Sequence, residues 1–179
     1  MTDHFSLQSS EQIYKGRVFT LRRDEVRLPD GKTAHLDIIV HGGAATLVPV
    51  DGEKRIWFVR QYRHAAGEVV LELPAGTIEP GEAAEACAAR EIREEIGMAA
   101  AGLQKIGEFY LAPGYSTEFM RVFLATGLTP DSRPHDADEF LEVTALPAAE
   151  AYAMVSNGAI RDGKTLAALL LAKPYIEAL

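Results

Sequence analysis

The sequence predicts an α/β protein, a mixed sheet with packed helices preceded by a hairpin at about residues 14–41. Three observations predict it. Short apolar runs punctuated by Pro, Gly and Asp turns mark a series of strands. One stretch, Glu82 to Ile96, is dense in Ala, Glu and Arg and reads as a helix. Two more helical stretches close the chain, and no repeat, low-complexity tract or long linker interrupts it. The expected organisation is an N-terminal hairpin region, residues 1–41, followed by one domain over residues 42–179, long enough to bury a sizeable core.

Val18 to Leu28 reads as the first strand, with Pro29-Asp30-Gly31 turning into a second run that ends near Val40. Ala44 to Val50 and Ile56 to Tyr62 are apolar runs split by Asp51-Gly52-Glu53-Lys54, a further strand–turn–strand signal. Val69 to Leu73 makes a short strand before Pro74. The helix at Glu82 to Ile96 meets Gly97, placed where a left-handed residue would end it. Strands are predicted at Leu103 to Leu111, Phe119 to Ala125 and Phe140 to Thr144, then helices at Ala148 to Val155 and Gly163 to Ala172. Asp162 is placed to cap the last helix.

Charge and composition narrow the function. A formal net charge of -8 argues against a nucleic-acid partner, which calls for a basic footprint. The longest late apolar run, Leu166 to Ala172, is too short to span a bilayer, so no membrane role is expected. Met1 to Ser10 has no basic region followed by an apolar stretch, and the single Cys87 excludes an intrachain disulfide. A cytoplasmic location is expected.

The chemistry concentrates in Gly76 to Met98. Helical geometry puts Glu91, Glu94 and Glu95, at i, i+3 and i+4, on one face. Ile92 and Ile96 point to an adjacent face and can anchor the helix on the sheet while the carboxylates edge a cleft. Like charges at this spacing repel, so a cation should compensate them. Oxygen donors on a rigid element suit Mg²⁺ or Mn²⁺ better than zinc, which prefers nitrogen and sulfur. Three Glu at helical spacing would also describe an ordinary solvated face. What separates the two readings is the surrounding pattern: Gly76, five residues, Glu82, seven residues, then Arg90-Glu91-Ile92-Arg93-Glu94-Glu95-Ile96-Gly97-Met98.

That pattern resembles the Nudix box at every specified position. The resemblance implies an α/β/α sandwich with a mixed sheet, and hydrolysis of a nucleoside diphosphate linked to another group. It also implies metal ligation by Glu91, Glu95 and Glu94 with the main-chain carbonyl of Ala75, and Gly76 permits the tight loop that exposes this carbonyl. Arg90 would orient the glutamates by ion pairing, Glu82 would support the loop–helix junction, and Cys87 would be a small packing residue.

The rest of the chain is similar to the ADP-ribose pyrophosphatase branch of that family. The likeness rests on Val59-Arg60-Gln61-Tyr62-Arg63 ahead of Leu71-Glu72-Leu73-Pro74-Ala75-Gly76, and on Ala112-Pro113-Gly114-Tyr115-Ser116-Thr117-Glu118. It implies cleavage of ADP-ribose or a related nucleotide sugar to AMP and a sugar phosphate. Arg60, Arg63, Gly114 and Glu118 are the expected substrate-binding residues. A surface ion pair would account for Arg60 as well, and a solvated strand position for Glu118. A late acidic loop implied by the branch falls at Asp136 to Phe140, with Glu139 as general base and Asp138 or Asp136 as substitutes; Glu139, Glu94 and Glu91 are the expected catalytic carboxylates. Relatives often carry arginine near the second strand, where this chain has His35-Leu36-Asp37. The branch further implies a homodimer built through the hairpin. Alternatives are a Nudix hydrolase of GDP-mannose or a dinucleotide, or a ligand sensor, although sensors tend to lose box glutamates.

Gly158 to Thr165 also matches the phosphate-loop pattern GxxxxGK[ST]. That loop needs a buried strand before it, whereas Ala148 to Val155 reads as helix. Lys164 is therefore assigned to a helix, where its removal is expected to matter little.

Overall fold

The computed structural model describes residues 4–134 and 140–179. The chain divides into two compact units, one formed by Met1–Gly43 with Tyr110–Phe119, the other by Ala44–Phe109 with Met120–Leu179.

The first unit carries an antiparallel sheet of β1 (Ser6–Lys15), β2 (Thr20–Arg27) and β3 (Thr33–Val40), in that order. The predicted turn at Pro29-Asp30-Gly31 is present: Gly31 has φ 83° and donates its amide to the Leu28 carbonyl at 2.9 Å. Strand β1 makes the expected hairpin a three-stranded sheet. Its sequence, SLQSSEQIYK, is exposed along its whole length and lacks the alternation by which a strand is read from sequence. Cross-strand pairs pin the register, with Arg23 Nε and Nη2 on the Asp37 carboxylate at 2.7 and 3.1 Å and Ser10 Oγ on Asp24 at 2.6 Å. The Tyr110–Phe119 segment docks on β3 through Ile39, whose amide donates to the Tyr115 carbonyl at 2.8 Å and whose carbonyl accepts from Thr117 at 2.9 Å.

The second unit is an α/β/α sandwich. One mixed sheet runs β7 (Ala75–Thr77), β4 (Ala44–Pro49), β9 (Phe119–Pro130), β8 (Met98–Tyr110), with β4 parallel to β9 and antiparallel to β7. A second sheet runs β10 (Leu141–Pro147), β5 (Arg55–Arg63), β6 (Glu68–Glu72). The apolar runs on either side of the Asp51–Lys54 turn thus enter different sheets, with a bridge between Val50 and Ile56.

Every residue of β4 is buried, so its alternation serves two cores. Val48 and Val50 pack with Phe58, Leu71 and Leu73 against Ala168, Leu169, Ala172 and Ile176 of α3 (Gly163–Ala178), with α2 (Ala148–Ser156) beside them. Ala45 and Leu47 pack with Val59 and Phe123 against Cys87, Ala88 and Ile92 of α1 (Ala84–Glu95) and Ile96 just past its end. Ile92 and Ile96 thus anchor the carboxylate helix as expected. Gly97, with φ 69°, ends it.

Helix α3 begins as predicted, with Asp162 accepting from the Thr165 amide at 3.0 Å. It runs past the expected end at Ala172, through Pro174. The ring removes the bond to the Leu170 carbonyl. Leu170 is exposed, so water can satisfy that group, while Ile176 continues the buried stripe of Leu169 and Ala172. Helix α2 stands where a phosphate loop would need a strand, and the GxxxxGK[ST] match is a helix cap. No helix among the described residues is long and apolar enough to cross a membrane.

Candidate active site

The site is built where the short strand β7 lies against α1. The alanine-rich first half of α1 lets it approach closely, and Gly76 removes the last obstacle: a Cβ there would stand 1.6 Å from Glu91 Oε1. Glu91 and Glu95 are consequently only 7% and 4% exposed, a burial that carboxylates tolerate when they are paired. Glu95 Oε2 accepts from the Ala75 amide at 2.9 Å. The loop before β7 is fixed in turn by the Pro74 carbonyl, which accepts from Leu47 N at 2.8 Å and Thr46 Oγ1 at 3.2 Å.

The compensating cation is Arg90. Its Nε and Nη2 each lie 3.0 Å from a Glu82 oxygen, and Nη1 reaches Glu91 at 2.5 Å and Glu94 at 3.0 Å. The Glu82 bond is the main reason the guanidinium pKa rises above its ordinary value, and Arg90 in return holds the Glu82 carboxyl below its own. Glu82 also accepts from the Glu79 amide at 3.0 Å, tying the loop to the helix start. Burial, reinforced by Glu91, pushes the Cys87 thiol up to about 12, so it is an inert packing group.

Of the residues expected at the site, Ala75, Glu91, Glu94 and Glu95 are brought together around β7 and α1. Among the described residues no three acidic, histidine or cysteine side chains converge on one point. Arg90 engages Glu91 and Glu94, and Glu95 is turned to the Ala75 amide. The donor set of three carboxylates and a main-chain carbonyl is nonetheless chemically suited to a hard divalent cation.

Arg60 is exposed on β5, and among the described residues no carboxylate pairs with it. Arg63, three residues on, places Nε and Nη2 on Glu72 at 2.6 and 2.8 Å. Gly114 and Glu118 belong to the other unit, where Glu118 lines a cleft of about 450 Å³ with Phe19, Ile39, His41 and Tyr115. Glu139, with Asp136 and Asp138, lies outside the described residues.

Lys164 is in a helix, as expected, and its side chain is part of a largely buried ion-pair group. Its Nζ bonds to Glu72 and, at 2.9 Å, to Asp162, and its side chain is 12% exposed. The Arg63–Glu72–Lys164 group escaped sequence reading because nothing in the local spacing relates β6 to α3; the refused GxxxxGK[ST] match was the only flag on Lys164.

The NUDIX domain family matches residues 40–169, most of the chain. The chain belongs to the Nudix family. A second match, to the nucleoside diphosphate sugar hydrolase N-terminal domain, covers residues 7–35. Among curated Nudix relatives, an ADP-ribose pyrophosphatase of Mycobacterium tuberculosis is 40% identical over 95% of this chain and 84% of its own length. An ADP-ribose pyrophosphatase of Bacillus subtilis is 38% identical over 90% of this chain and 88% of its own. A crystal structure described as an ADP compounds hydrolase superposes with TM-score 0.87 over 98% of this chain and 96% of its own, at 22% identity, and so shares the fold. This chain is therefore a Nudix pyrophosphohydrolase, an enzyme class that in general needs a divalent metal.

Proposed function

We propose that this chain hydrolyses the pyrophosphate of ADP-ribose, giving AMP and a sugar phosphate. The observation that carries the reading is the intact box, folded so that Gly76 admits the Glu91 carboxylate against β7 while Glu95 is tied to the Ala75 amide. The near full-length likeness to two ADP-ribose pyrophosphatases supports the substrate.

Glu91, Glu94, Glu95 and the Ala75 carbonyl would hold Mg²⁺ or Mn²⁺, which supplies charge neutralisation of the pyrophosphate and a more acidic bound water. Arg90 holds Glu91 and Glu94 in place and offsets their mutual repulsion. Arg63 and Arg60 present guanidinium groups to the phosphate oxygens, for which a planar fork is well suited. Glu139 accepts the proton of the attacking water. Gly114 and Glu118 contact the nucleoside or sugar, a reading supported by the apolar and aromatic lining of the cleft that Glu118 shares with Phe19 and Tyr115.

A homodimer, through the N-terminal sheet, belongs to the same proposal. Its support is a set of exposed apolar side chains on that unit, Phe5, Leu7, Ile13 and Val18 among them, for which a second copy is the natural cover. A cytoplasmic location accords with the lone, buried Cys87.

A panel of nucleoside diphosphate compounds assayed with Mg²⁺ in ¹⁸O-labelled water tests the activity. ADP-ribose should give AMP and ribose 5-phosphate, with label in one of them. Preferential turnover of GDP-mannose or a dinucleotide would replace the substrate.

A further inference from the structure

Three elements of the second unit converge on one buried carboxylate. Glu72, the last residue of β6, has a side chain only 3% exposed. It receives Arg63 Nε and Nη2 from β5 at 2.6 and 2.8 Å, and Lys164 Nζ from the first turn of α3. Lys164 is shared with Asp162, the residue that caps α3 and accepts from the Thr165 hydroxyl at 2.6 Å. Thr165 Oγ1 also accepts from the Leu73 amide at 2.8 Å, so the same helix turn grips the chain just ahead of Pro74-Ala75-Gly76.

Such a group is a poor way to stabilise a fold, because the cost of desolvating a buried ion pair offsets much of its attraction. It is a good way to fix a direction. Arg63 is half-exposed, its side chain 45% accessible, and a long flexible side chain in that setting would sample many rotamers. A bidentate bond to a rigid carboxylate selects one of them. The bond uses the Nε–Nη2 edge of the guanidinium, and among the described residues Nη1 has no hydrogen-bond partner. Arg63 also senses the negative charge of Glu95, which places it within electrostatic reach of the box carboxylates.

We propose that Glu72 and Lys164 are positioning residues for hydrolysis, Glu72 holding the Arg63 guanidinium in one orientation and Lys164 holding Glu72 in place. This rests on the reading of Arg63 as a phosphate contact. The lysine of a false phosphate loop thus acts on the substrate's phosphates at one remove, through Glu72 and Arg63.

The test is a kinetic cycle on the full chain with ADP-ribose and Mg²⁺. Arg63→Ala should raise KM about tenfold, the loss of one charge-assisted phosphate contact. Lys164→Met should raise KM about fivefold with kcat within about twofold, and Lys164→Arg, which keeps the charge, should restore most of it. In the Arg63→Ala background, Lys164→Met should add nothing further, because the residue it acts through is gone. Should the Met variant fail to fold, Lys164→Gln takes its place, with thermal unfolding followed in parallel. An unchanged KM in Arg63→Ala would sink the phosphate role of Arg63 and this proposal with it. A raised KM in Arg63→Ala beside an unchanged KM in Lys164→Met, or full additivity of the two, would overturn the positioning role alone.

Discussion

The Glu91 carboxylate fills the space that a side chain on Gly76 would occupy. A methyl group on Gly76 would stand 1.6 Å from Glu91 Oε1 and 1.9 Å from its Cδ, far inside van der Waals contact. Gly76→Ala must therefore displace the Glu91 carboxylate, the far end of a flexible side chain that can swing aside. The variant should keep most of its Tm and lose much of its kcat. Gly52→Ala, where an added methyl meets nothing within 4 Å, is the control. Equal behaviour of the two variants would contradict the close approach.

Glu95→Gln preserves the acceptor for the Ala75 amide, so the loop should stay in place while a ligand charge is lost. A fall in kcat of roughly two orders of magnitude with an unchanged Tm is the expected outcome. Unfolding data alongside the kinetics separate a ligand from a structural residue; wild-type turnover would remove Glu95 from the ligand set.

Turnover should depend on added Mg²⁺ or Mn²⁺, because a polyanionic pyrophosphate facing buried carboxylates needs charge compensation that Arg90, already engaged by Glu82, Glu91 and Glu94, does not supply. Exhaustive treatment with EDTA should abolish activity and metal should restore it. Full activity after chelation would sink the mechanism.

Acid should weaken the fold through Glu72. Burial pushes its carboxyl up, but Arg63 and Lys164 more than offset this and hold it below the ordinary 4.5. Its folded-state pKa is thus the lower one, so the stabilisation is complete above about 4.5 and is lost as pH falls through the folded value. Melting curves from pH 7 to pH 3 should show Tm falling below about pH 4.5, with a shallower fall in Glu72→Gln. An identical slope in both proteins would assign the acid sensitivity elsewhere.

The N-terminal sheet should mediate self-association. Light scattering should report twice the 19.5 kDa of one chain. A Leu7→Glu, Ile13→Glu double substitution on the exposed strand β1 should shift the protein to monomer without lowering the Tm of the second unit. A wild-type monomer would end the proposal.

Much of this site was legible because it lies within one helix. The 3.6-residue period alone puts Glu91, Glu94 and Glu95 on one face and Ile92 and Ile96 on the next, and the turn residues around Asp30, Asp51 and Gly97 announce themselves locally. Strand β1 was not legible, since a fully exposed strand need not alternate, nor was β7, three residues long and recognisable only by its pairing with β4. The assignment of β4 and β5 to different sheets likewise has no local signature, because their shared turn is compatible with either arrangement. The same holds for the anchor of Arg63. Glu72 and Lys164 are 92 residues apart, and a pairing at that separation is set by how α3 packs on β6, not by any spacing along the chain. Sequence by itself determined the chemistry that the carboxylate helix can perform; tertiary packing decided which charges hold it and its neighbouring arginine in position, since long-range contacts are chosen by the whole core and not by local periodicity.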